Sequence, residues 1–371
     1  MILPADARLY LRPLWFVPTP VGLPDGSVAR MGNGLLWFQG YELTALDGRA
    51  RVARTTVPVA DFARFAAGLP DPLAMRAQAL AANIAAPRAP LVLGERTIRF
   101  DAPQVMAILN ITPDSFSDGG AHAGDPQAAA DAGFAMAAAG AALIDVGGES
   151  TRPRAERLWE GDEIARVVPV IERLAAAGVP VSVDTRKAAV MEAALAAGAH
   201  IVNDVSALRH DPRALEVVAR AGCPVVLMHA PSAGDDPHDN PGGYGDVVAD
   251  VFDHLESRIA ACIAAGIARE RIIADPGLGF GKSLADNLAL VNGLATFQGL
   301  GVPLLFAASR KRFIGALSNE APAADRLGGS IALAFRAAQG GAQMVRVHDV
   351  RESVQALHVW RGLADAGLSA P

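Results

Sequence analysis

A short unit that recurs along most of the chain constrains the fold more than any other feature of the sequence. In each copy a glycine is followed by a short apolar run of strand length, and the run stops at a polar residue. The runs occupy residues 143–145, 181–184, 200–203, 225–229, 271–275, 304–309 and 344–348. Glycine is the usual left-handed cap at the end of a helix, so each copy predicts a helix that leads into a strand.

An eighth run of the same kind, residues 105–109, opens the series and stops at Asn110. Eight parallel strands with helices between them predict a closed (β/α)8 TIM barrel, and an open doubly wound sheet is the alternative. Asp-Pro pairs at 125–126 and 211–212 predict two of the helix starts. In a barrel the strand C-termini meet at one mouth, so we expect one cavity to be surrounded by the closing residues Asn110, Asp145, Asp184, Asn203, His229, Asp275, Ser309 and His348.

The first 88 residues lack this unit and predict a small separate α+β unit without a recognisable chemical motif. Residues 9–17 and 35–46 are aromatic-rich predicted strands, and 59–67 and 73–85 are predicted helices. A Pro-rich linker at 86–90 and a hairpin at 91–100 follow. The predicted fold class is therefore α/β, with a small N-terminal α+β unit at 1–88 and the barrel at 89–371.

Composition limits the classes of partner and location. The chain has 371 residues and a formal net charge of -6, which argues against a nucleic-acid partner. Its two cysteines, Cys223 and Cys262, lack metal-binding spacing and suit a reducing compartment, so a cytoplasmic location is predicted. We expect neither a signal peptide nor a membrane-spanning segment.

The first group of candidate site residues is Asp184, Asn203 and Asp275, at matching positions in three of the units. Carboxylates and an amide at the ends of apolar strands can bind the polar edge of a flat heterocycle, and burial makes such hydrogen bonds selective. The alternative is structural, with Asp184 capping the next helix and Asp275 setting up the turn that follows it.

The second group is basic and predicts an anion site, with phosphate the expected anion. It comprises Arg152, the run 310–312, Arg346 and His348. Arg346 and His348 are two apart on the last predicted strand and so share one face, at the end of a barrel that often binds phosphate. The alternative for the run 310–312 is a solvated charged surface, from which Lys311 is the member we assign to the site.

Two predicted loops, residues 112–120 and 147–153, follow the first two strands and are rich in Gly, Ser and Pro. Such loops can close over a site and exclude water. Asn110 can supply an oxygen ligand to Mg²⁺, an ion that relies mainly on substrate phosphates. Residues 275–283 resemble a nucleotide-binding P-loop, but Pro276 replaces its first glycine, and we reject an ATPase.

From about residue 91 onward the chain resembles dihydropteroate synthases. The motifs that carry the resemblance occur in order at 108–120, 145–153, 182–185, 203–206, 275–282, 309–311 and 346–350. The resemblance implies that 6-hydroxymethyl-7,8-dihydropterin diphosphate is joined to 4-aminobenzoate, with loss of diphosphate before attack of the amine. It also implies a homodimer that uses Mg²⁺.

The same resemblance implies roles for individual residues. Lys311, Arg346 and His348 are the expected catalytic residues, and Asn110 is expected to contact Mg²⁺. The pterin site is expected to comprise Asp184, Asn203, Asp275 and Lys311, and the diphosphate site Arg346 and His348, with Val347 between them. The 4-aminobenzoate pocket is expected to comprise Thr151, Arg152, Pro153, Phe116, Phe280 and Lys311.

The chain departs from the family pattern at several places. Arg154 replaces a common glycine in the second loop, and Arg312 replaces a common serine beside the 4-aminobenzoate and sulfonamide pocket. Residues 230–232 replace a Met-containing segment after His229, which is therefore given no role. Two alternatives stay open: a catalytically silent pterin-binding paralogue, for which Arg154 and residues 1–88 leave room, and a pterin-dependent methyltransferase, which would not need the two loops in this form.

Overall fold

The computed structural model describes residues 3–112, 125–152 and 157–369. Its strands are β1 Arg8–Val17, β2 Ala29–Arg30, β3 Trp37–Asp47, β4 Ala50–Pro58, β5 Leu91–Leu93, β6 Arg96–Ile98, β7 Gln104–Asn110, β8 Leu143–Gly147, β9 Val181–Asp184, β10 Ile201–Asp204, β11 Val225–Met228, β12 Ile272–Asp275, β13 Leu305–Phe306 and β14 Met344–Val347. Its α-helices are α1 Phe62–Ala67, α2 Asp71–Ala85, α3 Pro126–Ala138, α4 Glu160–Ala176, α5 Ala188–Ala196, α6 Ala214–Ala221, α7 Val247–Ala264, α8 Leu284–Asn292, α9 Arg312–Ala316, α10 Leu327–Gln339 and α11 Val350–Ser369.

The barrel consists of eight parallel strands in the order β12-β11-β10-β9-β8-β7-β14-β13. A parallel bridge between Ala274 and Leu304 joins the two ends of this order and closes the sheet on itself. The predicted (β/α)8 fold is confirmed. The glycine that precedes each predicted strand has a positive φ, as at Gly222, where α6 ends in a left-handed cap.

Alternation along the strands sorts the barrel interior into layers. One buried cluster combines the β5–β6 hairpin, through Leu91, Leu93 and Ile98, with the first inward side chains of the barrel, which are Met106, Leu143, Ile201, Val226, Ile273, Leu305 and Met344. The hairpin therefore closes the N-terminal end of the barrel. Two residues further along their strands, on the same face, are Ile108, Asp145, Asn203, Asp275 and Arg346. The polar residues thus form the layer nearest the open mouth.

The N-terminal unit is an antiparallel sheet in which β3 pairs with β1, β2 and β4, together with α1 and α2. It packs on the barrel through β1 and α2, and Arg76 makes two hydrogen bonds to Glu256 of α7. Arg88, from the predicted linker, is buried and donates to the backbone and side-chain oxygens of Gln298. The linker is therefore attached to the barrel by hydrogen bonds. The boundary at residue 88 stays a prediction.

Several local predictions were wrong. The strand β14 ends at Val347, so His348 lies just beyond it, and β13 is shorter than the predicted 304–309. The helix α6 begins at Ala214 and not at the Asp-Pro pair at 211–212. Asp211 instead accepts hydrogen bonds from the backbone N–H groups of Ala188 and Arg213, so its carboxylate joins two neighbouring segments. Among the described helices, none is long and apolar enough to span a membrane.

Candidate active site

Four polar side chains meet at the carboxyl end of the barrel. Asp145 Oδ2 accepts hydrogen bonds from Asn203 Nδ2 at 3.0 Å and from Arg346 Nε at 2.6 Å. Arg346 Nη2 donates to Asp184 Oδ2 at 2.7 Å. One guanidinium therefore joins two carboxylates that come from different strands, and we call these four residues the carboxylate–arginine cluster.

Burial affects the pKa values of Asp184 and Arg346. It raises the pKa of Asp184 to about 7, and the Arg346 guanidinium opposes that rise. Burial also acts to lower the pKa of Arg346, but Asp145 and Asp184 outweigh it, so this pKa is raised. Asp145 is fully buried, and among the described residues its Oδ1 has no hydrogen-bond partner. A bound ring that presents N–H groups would supply the missing donor.

Asp275 and Lys311 form the opposite side of the mouth. Asp275 Oδ1 accepts the backbone N–H of Gly277 at 2.7 Å, and burial raises the pKa of this carboxyl. Lys311 Nζ donates to the carbonyl oxygen of Leu278 and lies 5.0 Å from the centre of the Phe280 ring. Burial lowers the pKa of Lys311 to about 8, with Asp275 opposing the shift. A cation next to an aromatic face suits a flat, partly anionic ligand.

The glycine-rich loop after β12 needs glycine for close packing. A Cβ on Gly277 would lie 1.9 Å from the carbonyl oxygen of His229, and one on Gly279 would lie 3.2 Å from Lys311 Cδ. Both residues also have a positive φ, which L side chains rarely adopt. The loop can therefore approach the His229 backbone and the Lys311 side chain closely only because these positions lack side chains.

Lys282 does not act as a P-loop lysine, because its side chain turns back onto its own loop. Its Nζ donates to the carbonyl oxygens of Gly277 at 2.8 Å and Phe280 at 3.1 Å, and to His229 Nδ1 at 3.0 Å. Burial lowers the pKa of Lys282 to about 7. His229 packs edge-on against His254 of α7 and so lies outside the ring of side chains around the cavity, contrary to the prediction.

Replacing Lys282 with methionine is expected to lower the free energy of unfolding by about 2 kcal/mol, because the partly buried carbonyl groups of Gly277 and Phe280 lose their donor. Urea unfolding measures this change. The exposed Arg99, replaced by methionine in the same way, is the control and is expected to leave stability unchanged. Equal unfolding curves for Lys282→Met and Arg99→Met would contradict the role of Lys282 in the loop.

His348 lies beside the carboxylate–arginine cluster, but it is not a cation at neutral pH. Burial, with the positive charges of Arg346 and Arg310, lowers the pKa of His348 to about 3. Its Nδ1 lies 3.0 Å from Ser309 Oγ. Arg310, from the basic run, forms an ion pair with Asp349. The predicted anion site therefore has a neutral imidazole next to Arg346, and His348 can contribute a hydrogen bond without a charge.

The basic run 310–312 divides into three different environments. Arg310 is paired as described, Lys311 faces the cavity, and Arg312 is exposed at the start of α9. The solvated alternative holds for Arg312 alone. Val347 was expected to bind substrate, and that role stays a prediction. Alternation turns its side chain into the hydrophobic core between the sheet and the helices, so only its backbone can face the cavity.

The loop after β8 reaches the cavity through Thr151, whose carbonyl oxygen lies 2.9 Å from His238 Nε2. Arg152 is exposed, and its backbone N–H donates to Ser150 Oγ at 3.4 Å. Asn110 lies across from Gly147, where a Cβ would be 3.3 Å from Asn110 Oδ1 and 3.7 Å from Asp184 Oδ2. The predicted site residues Phe116 and Pro153, together with Arg154 and residues 113–120, lie outside the described residues.

Sequence reasoning missed a charged cluster that holds the second loop. Glu149 accepts hydrogen bonds from Lys187 Nζ at 3.0 Å and Arg186 Nε at 3.4 Å, and Lys187 also pairs with the buried Glu163 at 2.7 Å. Burial acts to raise the pKa of Glu149, but the donors, Lys187 first, outweigh it and lower this pKa. The signal in the sequence was a set of charged residues, Glu149, Arg186 and Lys187, that closely follow two adjacent strands.

Asp145, which binds both Asn203 and Arg346 in the carboxylate–arginine cluster, was expected at the mouth but was given no substrate role.

Comparison with known proteins assigns the chain that forms this cavity to a family. Residues 106–348 match the family of pterin binding enzymes. The dihydropteroate synthase of Neisseria meningitidis serogroup B is 46% identical over 275 residues, which cover 73% of this chain and 96% of that protein.

Solved structures agree with this match. The Xanthomonas albilineans dihydropteroate synthase with 4-aminobenzoic acid is 49% identical, with a TM-score of 0.69 over 74% of this chain and 97% of that one. A structure of the same enzyme in complex with 7,8-dihydropteroate is 47% identical, with a TM-score of 0.66 over 74% and 98%. The chain therefore belongs to the pterin-binding enzymes, and among them to the dihydropteroate synthases.

Proposed function

We propose that the mouth of the barrel joins 6-hydroxymethyl-7,8-dihydropterin diphosphate to 4-aminobenzoate, which gives 7,8-dihydropteroate and diphosphate. As a dihydropteroate synthase, the chain is a transferase of folate biosynthesis. The observation that carries the assignment of this site is the carboxylate–arginine cluster, in which Asp145 Oδ1 has no hydrogen-bond partner in the described part of the chain. A pterin ring presents adjacent N–H donors and ring acceptors, which these carboxylates and the Asn203 amide can pair.

The pterin is proposed to lie between Asp145 and Asp184 on one side and Asp275 and Lys311 on the other. Carboxylates accept the ring and amino N–H groups, whereas Lys311 donates to a ring acceptor. Arg346 holds Asp145 and Asp184 in place through hydrogen bonds of 2.6 and 2.7 Å. Because these groups are largely removed from water, a ring with another donor pattern would leave buried polar atoms unpaired, which supplies selectivity.

The diphosphate is proposed to lie at the outer edge of the cluster, near Arg346, His348 and Asn110. In the described residues no group of three or more His, Cys, Asp or Glu side chains could hold a metal ion by itself. A single amide oxygen, from Asn110, fits Mg²⁺ that takes its other ligands from phosphate and water. When bound, Mg²⁺ would neutralise charge on the leaving diphosphate.

The 4-aminobenzoate is proposed to bind between Phe280, Lys311 and the loop that carries Thr151 and Arg152, with Phe116 and Pro153 completing the pocket. The bond between the pterin methylene carbon and the diphosphate oxygen breaks first, and diphosphate takes the electron pair. The amine nitrogen then forms the new bond to this carbon and loses a proton. Exclusion of water by the loops protects the electrophilic carbon from hydrolysis.

Diphosphate release tests the proposal. Purified chain is given Mg²⁺ and dihydropterin diphosphate, with and without 4-aminobenzoate, and the products are identified by mass spectrometry. We expect release that increases when the amine is added, with dihydropteroate as product. Diphosphate release that does not change when 4-aminobenzoate is added would contradict the proposed 4-aminobenzoate pocket. Binding of the pterin substrate without diphosphate release would favour the silent paralogue.

Two further features of the function rest on the family resemblance. We propose a homodimer in the cytoplasm, where the two free cysteines, Cys223 and Cys262, are compatible with a reducing environment. Light scattering is expected to give twice the chain mass of 38.4 kDa. A mass equal to that of one chain at micromolar concentration would contradict the dimer.

Replacing Asp184 with alanine is expected to weaken the binding of dihydropterin diphosphate by at least about tenfold, or about 1.4 kcal/mol. The reason is the loss of an acceptor within the carboxylate–arginine cluster, which also leaves Arg346 with one carboxylate partner fewer. Isothermal calorimetry measures the change, with Asp131→Ala on the exposed face of α3 as control. Unchanged affinity would remove Asp184 from the pterin site.

A further inference from the structure

The loop between β11 and α7 begins at residues 230–232, one of the places where the chain departs from the family pattern. This loop carries His238, which lies outside the motifs that carry the family resemblance. The ring of His238 stacks on Phe280, with centroids 4.7 Å apart and planes inclined by 15°. Its Nε2 lies 2.9 Å from the carbonyl oxygen of Thr151. A single side chain thus contacts two of the three parts that form the proposed 4-aminobenzoate pocket.

The hydrogen bond to Thr151 defines which ring nitrogen of His238 carries a proton. A carbonyl oxygen can only accept, so His238 Nε2 must be the donor in this contact. The imidazole face is at the same time occupied by the Phe280 ring. His238 therefore combines a flat face with a donor at its edge, a combination that neither an aliphatic nor a simple amide side chain offers.

The loop that carries His238 is itself held at two points. Arg186 Nη1 donates to the carbonyl oxygens of Gly234 and Asp235, both at 3.0 Å. Asn240 Nδ2 donates to the carbonyl oxygen of Gly281 at 3.1 Å. These bonds lie on either side of His238 in sequence, so the position of its ring relative to the barrel is well determined.

Phe280 has Lys311 as a second neighbour, with Nζ 5.0 Å from its ring centre. The position of the Phe280 ring therefore affects both the aromatic contact and the cation that a bound benzoate would meet. The Thr151 backbone belongs to another part of the proposed pocket. A group that contacts both the Thr151 carbonyl and the Phe280 ring sets the spacing between these two parts.

We propose that His238 is a positioning residue for 4-aminobenzoate: it stacks on Phe280 and donates to the Thr151 carbonyl, and so sets the width of the pocket for a flat aromatic amine. This inference rests on the proposed function, because the pocket is assigned through it. His238 does not contact the carboxylate–arginine cluster through any of its described bonds. Replacement of His238 is therefore expected to affect the KM for 4-aminobenzoate and to leave binding of the pterin substrate unchanged.

Three variants separate the two contacts of His238. His238→Phe keeps a stacking ring and loses the donor, whereas His238→Gln keeps a donor and loses the stacked ring. His238→Ala loses both. A neutral hydrogen bond or an aromatic pair changes affinity by about three- to tenfold, so we expect each of the first two variants to raise the KM for 4-aminobenzoate by about that factor. His238→Ala is expected to raise it by about tenfold or more.

The readout is steady-state kinetics with each substrate varied in turn, together with calorimetric binding of dihydropterin diphosphate. The KM and affinity for the pterin substrate are expected to stay within about twofold of wild type. His358→Ala on the exposed face of α11 removes a histidine elsewhere and is the matched control. Thermal melting of all variants checks that they are folded, and the two conservative variants keep the test valid if His238→Ala is unstable.

The outcomes distinguish failure of the inference about His238 from failure of the proposed function. If wild type makes dihydropteroate and all His238 variants keep the wild-type KM for 4-aminobenzoate, the inference is wrong and the proposed function stands. Equal increases in both KM values would also overturn the inference, because they indicate a general structural role. If wild type makes no dihydropteroate, the proposed function fails and the inference fails with it.

Discussion

Replacing Arg346 with methionine is expected to lower kcat/KM by at least about a hundredfold, or about 3 kcal/mol of transition-state stabilisation. The guanidinium joins Asp145 and Asp184 at 2.6 and 2.7 Å, and its loss leaves two carboxylates facing each other with little access to water. The pKa of Asp184 is already raised by burial, and Arg346 is the group that opposes the rise. Without Arg346, the Asp184 carboxyl is expected to take up a proton at neutral pH and to become a weaker hydrogen-bond acceptor.

The same variant is expected to destabilise the fold by about 3–5 kcal/mol, the usual cost of removing one partner of a buried ion pair. Diphosphate release and urea unfolding measure the two effects on the same sample. Arg346→Lys retains the charge but cannot bridge both carboxylates, so an intermediate loss of activity is expected. Arg336→Met, on the exposed face of α10, is the control. A kcat/KM for Arg346→Met within tenfold of wild type would contradict this account of the cluster.

Replacing Lys311 with methionine is expected to reduce kcat by about a hundredfold, in the range found when a positioned electrostatic donor is removed. Lys311 is the cation that lies both near Asp275 and against the Phe280 ring, so it is placed between the two proposed substrates. Lys311→Arg keeps a positive charge and is expected to restore part of the activity. Activity of Lys311→Met equal to that of wild type would exclude Lys311 from the reaction.

The pH dependence of wild type gives an independent check on Lys311. Burial lowers its pKa to about 8, so the ammonium loses its proton above that pH and the rate is expected to fall there. Stability is expected to change in the opposite sense. Between pH 8 and the ordinary lysine pKa of 10.5 the unfolded chain binds more protons than the folded chain, so the contribution of Lys311 to stability rises with pH. Lys311→Arg is expected to remove the fall in rate, and persistence of that fall would assign it to another group, such as Lys282.

The recurring unit of glycine, apolar run and polar residue determined the barrel. Local rules suffice for this step: glycine permits the left-handed end of a helix, and an apolar run between helices must be a buried strand. The same rules placed Asp184, Asn203 and Asp275 at strand ends and Arg346 within the last strand. Period-two alternation would also have shown that Val347 faces away from Arg346, since their side chains point to opposite sides of the sheet.

The N-terminal unit was predicted less completely. Its strands β1 and β3 and its helices were expected from their apolar pattern, but the exposed edge strand β4, with Arg51 and Arg54, was not. An edge strand that carries charged residues on an exposed surface has no continuous apolar run to reveal it. Local sequence also could not show that Arg88, in a Pro-rich segment, is buried against Gln298.

Local sequence patterns were therefore enough to predict the order of strands and helices, the end of the barrel where the site lies and the residue types found there. Which of those residues pair with one another follows from the three-dimensional arrangement. Asp145 and Arg346 are 201 positions apart, and His238 contacts Thr151 across 87 positions. Such contacts arise when the closing of the barrel brings strands and loops from its whole length to one mouth. No local preference of either residue encodes the pairing, because the hydrogen bond depends on the geometry of the closed sheet.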